Sequence, residues 1–147
     1  MFALMNGVAW FEISADRPAA AELFYSTLFG WQFCAAKGAR ESYRVVTVPG
    51  QSIGGGLFAP DGDIPTYAIF GVVVEDVGAT CRKAAAAGGE VLMEPKLDPP
   101  TGVTFAYLSD PSGNLFGISG PPAVSVDVPL LIAVTTGSES AEAGSAR

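Results

Sequence analysis

Glu12 is the residue with the clearest chemical potential. It interrupts Val8-Ala9-Trp10-Phe11-Glu12-Ile13, a run with the bulky apolar composition of a strand. Side chains alternate along a strand, so Glu12 shares a face with Trp10 and is the ionisable group this face would carry into an apolar interior. A carboxylate among aromatic rings can act as a general base, or accept a hydrogen bond from a ligand amine or hydroxyl. The competing reading is structural, a carboxylate paired with Arg17 or with a backbone N–H. Tyr43, Gln51 and Tyr107 are candidate donors from neighbouring strands. Other chemistries lack residues. The 147-residue chain has no histidine, and its two cysteines, Cys34 and Cys81, have no CxxC spacing, so metal clusters, disulfide frameworks and Cys/His nucleophiles are unsupported. Both thiols are expected to be buried or half-buried. Gly54-Gly55-Gly56 is not a phosphate loop, because no Lys-Ser/Thr follows it; it reads as a strand that packs closely.

The elements that must position these residues repeat. Gly7 to Ile13 reads as a strand, Asp16 as a helix cap, and Pro18 as a first-turn residue of a helix running to Phe29, with Leu23, Phe24 and Leu28 on one stripe and Gly30 as its stop. Trp31 to Ala35, Tyr43 to Val48 and Ser52 to Phe58 follow as strands, the first two joined by a hairpin over Lys37 to Glu41. After a turn-rich linker, Pro60 to Pro65, the order begins again. Tyr67 to Val74 is a strand, Asp76 caps an alanine-rich helix over Val77 to Ala87, and Gly88-Gly89 ends it. Glu90 to Met93, Val103 to Ser109 and Leu115 to Ser119 close the second β-α-β-β-β unit. Asp110-Pro111-Ser112-Gly113-Asn114 is the tight turn that sets the register of the last strand, where Leu115, Gly117 and Ser119 share a face. The glycine-rich lead into Leu57-Phe58 matches this stretch at an offset of 59 residues, which points to an internal duplication.

Composition narrows the partners. Eight basic against fifteen acidic residues give a net charge of −7, which repels a phosphate backbone, so nucleic acid is not an expected partner. No run approaches the ~18 consecutive apolar residues of a membrane span. The first residues lack the charged and apolar regions of a signal peptide, and the expectation is a cytoplasmic protein without membrane association. Arg44 and Arg82 read as solvated charges.

Phe11-Glu12-Ile13 with Asp16, Phe24-Tyr25, Phe29-Gly30-Trp31, Gly54-Gly55-Gly56, Val74-Glu75-Asp76-Val77, Gly88-Gly89 and Asp110-Pro111-Ser112-Gly113-Asn114, in that order and with a repeat, resemble the vicinal oxygen chelate superfamily over about residues 7 to 120. This is the glyoxalase, bleomycin-resistance and extradiol dioxygenase group. The resemblance implies an α+β fold of two tandem β-α-β-β-β modules, about residues 7–59 and 66–120, whose curled mixed sheets form a shared cavity. Residues 121–147 would be an extension, with a candidate strand over Ala123 to Val134 and then a flexible tail. Metal enzymes of the family place ligands, usually His or Glu, at four points on the first and last strands of the two modules. Here the resemblance carries those points onto Trp10, Phe58, Ile69 and Gly117, none of which can donate to a metal. The chain therefore looks like a member lacking the metal ligands, and no metal or cofactor is expected.

The implied cavity is lined by Trp10, Phe58, Ile69 and a gap at Gly117, with Glu12, Tyr43, Gln51 and Tyr107 as its polar groups, a composition typical of small-molecule sites. The expected function is metal-free binding of a small, mostly apolar or aromatic compound, in drug or metabolite sequestration. The alternative is a cofactor-free isomerase, cyclase or lyase with Glu12 as general base. A homodimer is expected, because each half-sheet leaves edges and the family commonly pairs modules across a two-fold axis.

Overall fold

The computed structural model describes residues 5–35, 43–50, 52–62 and 65–122. The Lys37 to Glu41 hairpin, Gln51 and the segment beyond Pro122 lie outside them. The elements run β1 (Val8–Ser14), α1 (Pro18–Phe29), β2 (Gln32–Ala35), β3 (Arg44–Thr47), β4 (Gly55–Phe58), β5 (Tyr67–Val73), α2 (Val77–Ala86), β6 (Glu90–Asp98), β7 (Val103–Ser109) and β8 (Leu115–Gly120). This is the α+β, twice-repeated β-α-β-β-β order read from the sequence. The eight described strands join in one mixed sheet, ordered β2-β3-β4-β1-β5-β8-β7-β6. Within each module the first and last strands pair in parallel, β1 with β4 and β5 with β8. The modules meet through antiparallel pairing of β1 with β5, from Val8↔Val72 to Ser14↔Tyr67. That seam uses up the inner edges of both half-sheets within one chain, leaving β2 and β6 as the outer strands of a curled, unclosed sheet.

Both helices cover the same face. Ile13, Ala15, Val46 and Leu57 form one buried cluster beside α1, and Val74, Val77, Cys81, Ala106, Leu108 and Ile118 form the other beneath α2. Fully burying a side chain such as Leu57, Leu108 or Ile118 stabilises the fold by about 1.5–3 kcal/mol. The α2 cap is as expected: Asp76 accepts from the Ala79 N–H at 2.9 Å. Asp16 does not cap α1. Pro18 fixes the first helical turn so that Arg17 is the cap residue, without a side-chain bond, and Asp16 stands one residue too far back. Gly30 ends α1 in the left-handed conformation, with φ 72°.

The Leu23, Phe24 and Leu28 stripe does not face the core. These side chains are 53–68% exposed, and α1 meets the sheet through Ala21 and Tyr25 instead. Arg44, expected in solvent, donates to Glu22 at 2.9 Å and ties β3 to α1. Cys34 is exposed, contrary to expectation, because it sits on the outer strand β2; Cys81 is buried. Burial raises the Cys81 thiol above its usual range. No helix among the described residues is long and apolar enough to cross a membrane.

Candidate functional site

Phe11 and Ile13 pack toward α1, so the alternation of β1 sends Trp10, Glu12 and Ser14 to the face away from the helices. Cross-strand neighbours extend that face: Gly56 and Phe58 lie opposite Glu12 and Ser14 on β4. On β5, Gly71, Ile69 and Tyr67 lie opposite Trp10, Glu12 and Ser14. Gly117 of β8 follows beside Gly71, and Tyr107 of β7 beside Gly117. Tyr43 enters just before β3, with its ring stacked on Phe58 at 5.9 Å. In a flat sheet β7 would lie three strands, roughly 14 Å, from β1. The Tyr107 hydroxyl nevertheless reaches Glu12, because the sheet curls toward this face.

Glu12 is the focus. Its side chain is buried, 6% exposed, and three phenols donate to it. Tyr107 donates to Oε1 at 2.5 Å, Tyr67 to the same oxygen at 3.0 Å, and Tyr43 to Oε2 at 3.4 Å. Hydrogen bonds to an ionised group are roughly twice as strong as neutral ones. These phenols take the place that Arg17 or a backbone N–H would fill if the carboxylate were a simple structural pair. Burial, and then the charge of Glu12, push both the Tyr67 and Tyr107 hydroxyls well above the usual phenol range. They therefore remain protonated donors throughout the working pH range. Two residues further along β1, Ser14 is 2% exposed and its hydroxyl has no hydrogen-bond partner among the described residues.

Glycines make the approach possible. A Cβ on Gly56 would overlap the Tyr43 hydroxyl, and one on Gly71 would overlap the Trp10 indole. Tyr43 thus crosses bare backbone to reach Glu12, and Trp10 lies flat on β5. This accounts for the glycine run before Leu57 as close packing.

Of the residues singled out from the sequence, Trp10, Glu12, Tyr43, Phe58, Ile69, Tyr107 and Gly117 share this face, and four corrections follow. Gly117 is not a gap, since the Trp10 and Tyr107 rings lie 3.4 and 3.5 Å from where its Cβ would be. The duplication is not uniform: Glu12 pairs with Gly56, 44 residues on (56 − 12), whereas Gly71 pairs with Gly117, 46 on (117 − 71). As a result the four metal points do not converge, because Phe58 is level with Ser14 and Gly117 is level with Trp10, roughly 13 Å along the strand. Tyr67 was overlooked, although it shares parity with Ile69 two residues along the same strand. As for a divalent ion, no group of three His, Cys, Asp or Glu side chains comes together among the described residues. One carboxylate held by phenols does not match the ligand set of such a centre.

Comparison with known proteins agrees with this architecture. The family model described as Glyoxalase/Bleomycin resistance protein/Dioxygenase superfamily matches residues 7–118. Proteins named "Putative glyoxylase CFP32" from Mycobacterium bovis and Mycobacterium tuberculosis are 36% identical over 113 residues, 76% of this chain and 43% of theirs. The chain thus spans less than half the length of those relatives. Among solved structures, a methylmalonyl-CoA epimerase from Mycobacterium tuberculosis superposes with a TM-score of 0.60 at 17% identity, covering 82% of this chain and 91% of the other. A Legionella pneumophila chain named NAD-dependent benzaldehyde dehydrogenase superposes with 0.56 at 14%, covering 76% and 97%. Such different names on one fold show that the fold by itself assigns no activity.

Proposed function

Because the chain belongs to the Glyoxalase/Bleomycin resistance protein/Dioxygenase superfamily, we propose that it binds a small, mostly apolar or aromatic compound without a metal, in the curl of the sheet between Trp10, Glu12, Ile69 and the tyrosines. The observation that carries this reading is the buried Glu12 carboxylate set among aromatic walls and held by three phenols. An apolar surface with a few fixed polar groups is the usual form of a small-molecule site. The glyoxylase name of the mycobacterial relatives supports a second reading, a cofactor-free isomerase, cyclase or lyase with Glu12 as base. Against it, the Tyr67 and Tyr107 protons point at Glu12, so these hydroxyls are not aimed at a developing oxyanion. Sequestration is favoured for that reason.

A screen of purified protein against aromatic and apolar metabolites, read first by thermal shift and then by product formation, separates the two. In a binder, Glu12→Gln weakens a hydroxylated or amine ligand by roughly 1–3 kcal/mol, and Trp10→Ala costs more through lost stacking area. In an enzyme, Glu12→Gln lowers turnover by about 10²–10⁴-fold with little change in affinity. If neither substitution alters binding or turnover, Glu12 is structural and the site is misplaced.

Homodimerisation belongs to this proposal, on a different footing from strand edges. The modules close on each other through β1 and β5, and an apolar surface open to a second copy is α1, where Leu23, Phe24, Leu28 and Phe29 are more than half exposed. A monomer in light scattering at tens of micromolar would overturn it.

A further inference from the structure

Glu12 is a buried carboxylate whose described partners are all neutral. Removing a carboxylate from water is expensive unless a positive charge or a full set of hydrogen bonds compensates it. Among the described cations, Arg17 precedes α1, Arg44 is engaged by Glu22, Arg82 and Lys83 belong to α2, and Lys96 is exposed on the outer strand β6. The three phenols supply hydrogen bonds but no charge. Oε1 holds the two short ones, at 2.5 and 3.0 Å, whereas Oε2 has a single bond of 3.4 Å. A carboxylate offers about four acceptor positions, so Oε2 retains capacity.

Proton direction adds a second constraint. Each tyrosine hydroxyl has one proton, and the two short bonds direct those of Tyr67 and Tyr107 at Glu12. What Tyr67, Tyr107 and Glu12 offer a ligand is therefore acceptor oxygen. The ring faces around them carry the negative end of the aromatic quadrupole. Acceptors, ring faces and one uncompensated negative charge all favour positive charge, and a chain with net charge −7 attracts it from solution.

We propose that the ligand of the Glu12 site is an organic cation, an amine or quaternary ammonium group that rests against Glu12 Oε2 between the tyrosine rings, with its apolar or aromatic body along Trp10 and Ile69. This rests on the binding function proposed above, and it names the ligand class of that same site. The test uses the intact protein and two probes of equal shape, phenyltrimethylammonium and its neutral isostere tert-butylbenzene, with affinities measured by NMR titration at low and moderate salt. The expected result is that the cation binds wild-type protein about tenfold or more tightly than the isostere, the order of a desolvated cation–π contact. That preference shrinks on adding salt and falls in Glu12→Gln, while tert-butylbenzene is unaffected by either change. Equal or tighter binding of tert-butylbenzene to wild-type protein would overturn the charge assignment and leave the apolar binding function standing. Failure of both probes to bind would remove the two together. The wild-type comparison decides the matter even if Glu12→Gln does not fold.

Discussion

Tyr107→Phe deletes one hydroxyl and keeps the ring, and the geometry around Glu12 ranks its effect against the matching change at Tyr67. The Tyr107 bond is the shortest of the three, 2.5 Å to Oε1, and it is made to a side chain only 6% exposed. Hydrogen bonds to charged groups contribute about 1.5–3 kcal/mol, and here the loss also leaves a buried acceptor short of a donor. Tyr67 bonds the same oxygen at 3.0 Å, so Tyr67→Phe should cost somewhat less, about 1–2 kcal/mol. Tyr43 reaches the other oxygen at 3.4 Å, and its bond to Glu12 contributes under about 0.5 kcal/mol. At about 2–4 °C per kcal/mol for a chain of this size, Tyr107→Phe lowers Tm by roughly 3–12 °C. The assay is urea unfolding of the two variants, with an unchanged m-value confirming that only stability moved. Because Tyr67 and Tyr107 share Oε1, the double variant should depart from additivity. A Tyr67→Phe penalty larger than that of Tyr107→Phe would refute the reasoning, because bond geometry would then not set the strength of the network.

Three further outcomes follow from the same geometry. The folded-state phenols of Tyr67 and Tyr107 are raised above the ordinary value of 10.0, so the stability they carry is fully present below about pH 10 and is lost as pH climbs, at up to about 1.4 kcal/mol per pH unit for each phenol. Alkaline titration of stability should show this arm in wild-type protein and a shallower one in Tyr107→Phe; equal slopes would contradict it. Gly71→Ala places a methyl group where the Trp10 indole lies, so it should destabilise by about 1–3 kcal/mol, with much of the loss recovered in a Trp10→Leu background; no coupling between the two would show that Trp10 does not rest on Gly71. Ser14→Ala removes a buried hydroxyl that lacks a partner among the described residues and should be neutral or stabilise by up to about 1 kcal/mol, whereas a clear loss in Tm would reveal a bond to that hydroxyl.

Local chemistry made most of the fold legible. Pro18, Gly30, Asp76 and Gly88 mark the helix ends through constraints on φ and capping that act within a few residues, and the two helices lie close to where those residues place them. Strand parity put Trp10 with Glu12 correctly, because alternation is a property of the strand alone. Asp16 misled because Asp and Arg17-Pro18 are both plausible helix starts, and only the placement of the first turn decides between them. Helical periodicity put Leu23, Phe24 and Leu28 on one stripe, but it shows which side chains share a face, not which face meets the sheet. Tyr67 could have been found by parity with Ile69. Its bond to Glu12 could not, since that depends on antiparallel pairing of β1 with β5 across 55 residues and on the curl that brings β3, β5 and β7 to one carboxylate. The two-residue difference between the module offsets likewise lies in strand registers, to which composition is blind.

The central claim is that a small molecule binds in the curl around Glu12, and the molecule offers a competitor against which to measure it. A cleft of about 370 Å³ lies on the opposite face beside α2, lined by residues including Val72, Lys83, Ala84 and Phe116. Backbone-amide NMR of uniformly labelled protein, titrated with a compound that raises its Tm, distinguishes the two sites directly. The account predicts the largest saturable shifts at Trp10, Glu12, Ile69, Gly71 and Tyr107, and their loss in Trp10→Ala. Shifts confined to Val72, Lys83, Ala84 and Phe116, with the Glu12 face unmoved, would contradict it.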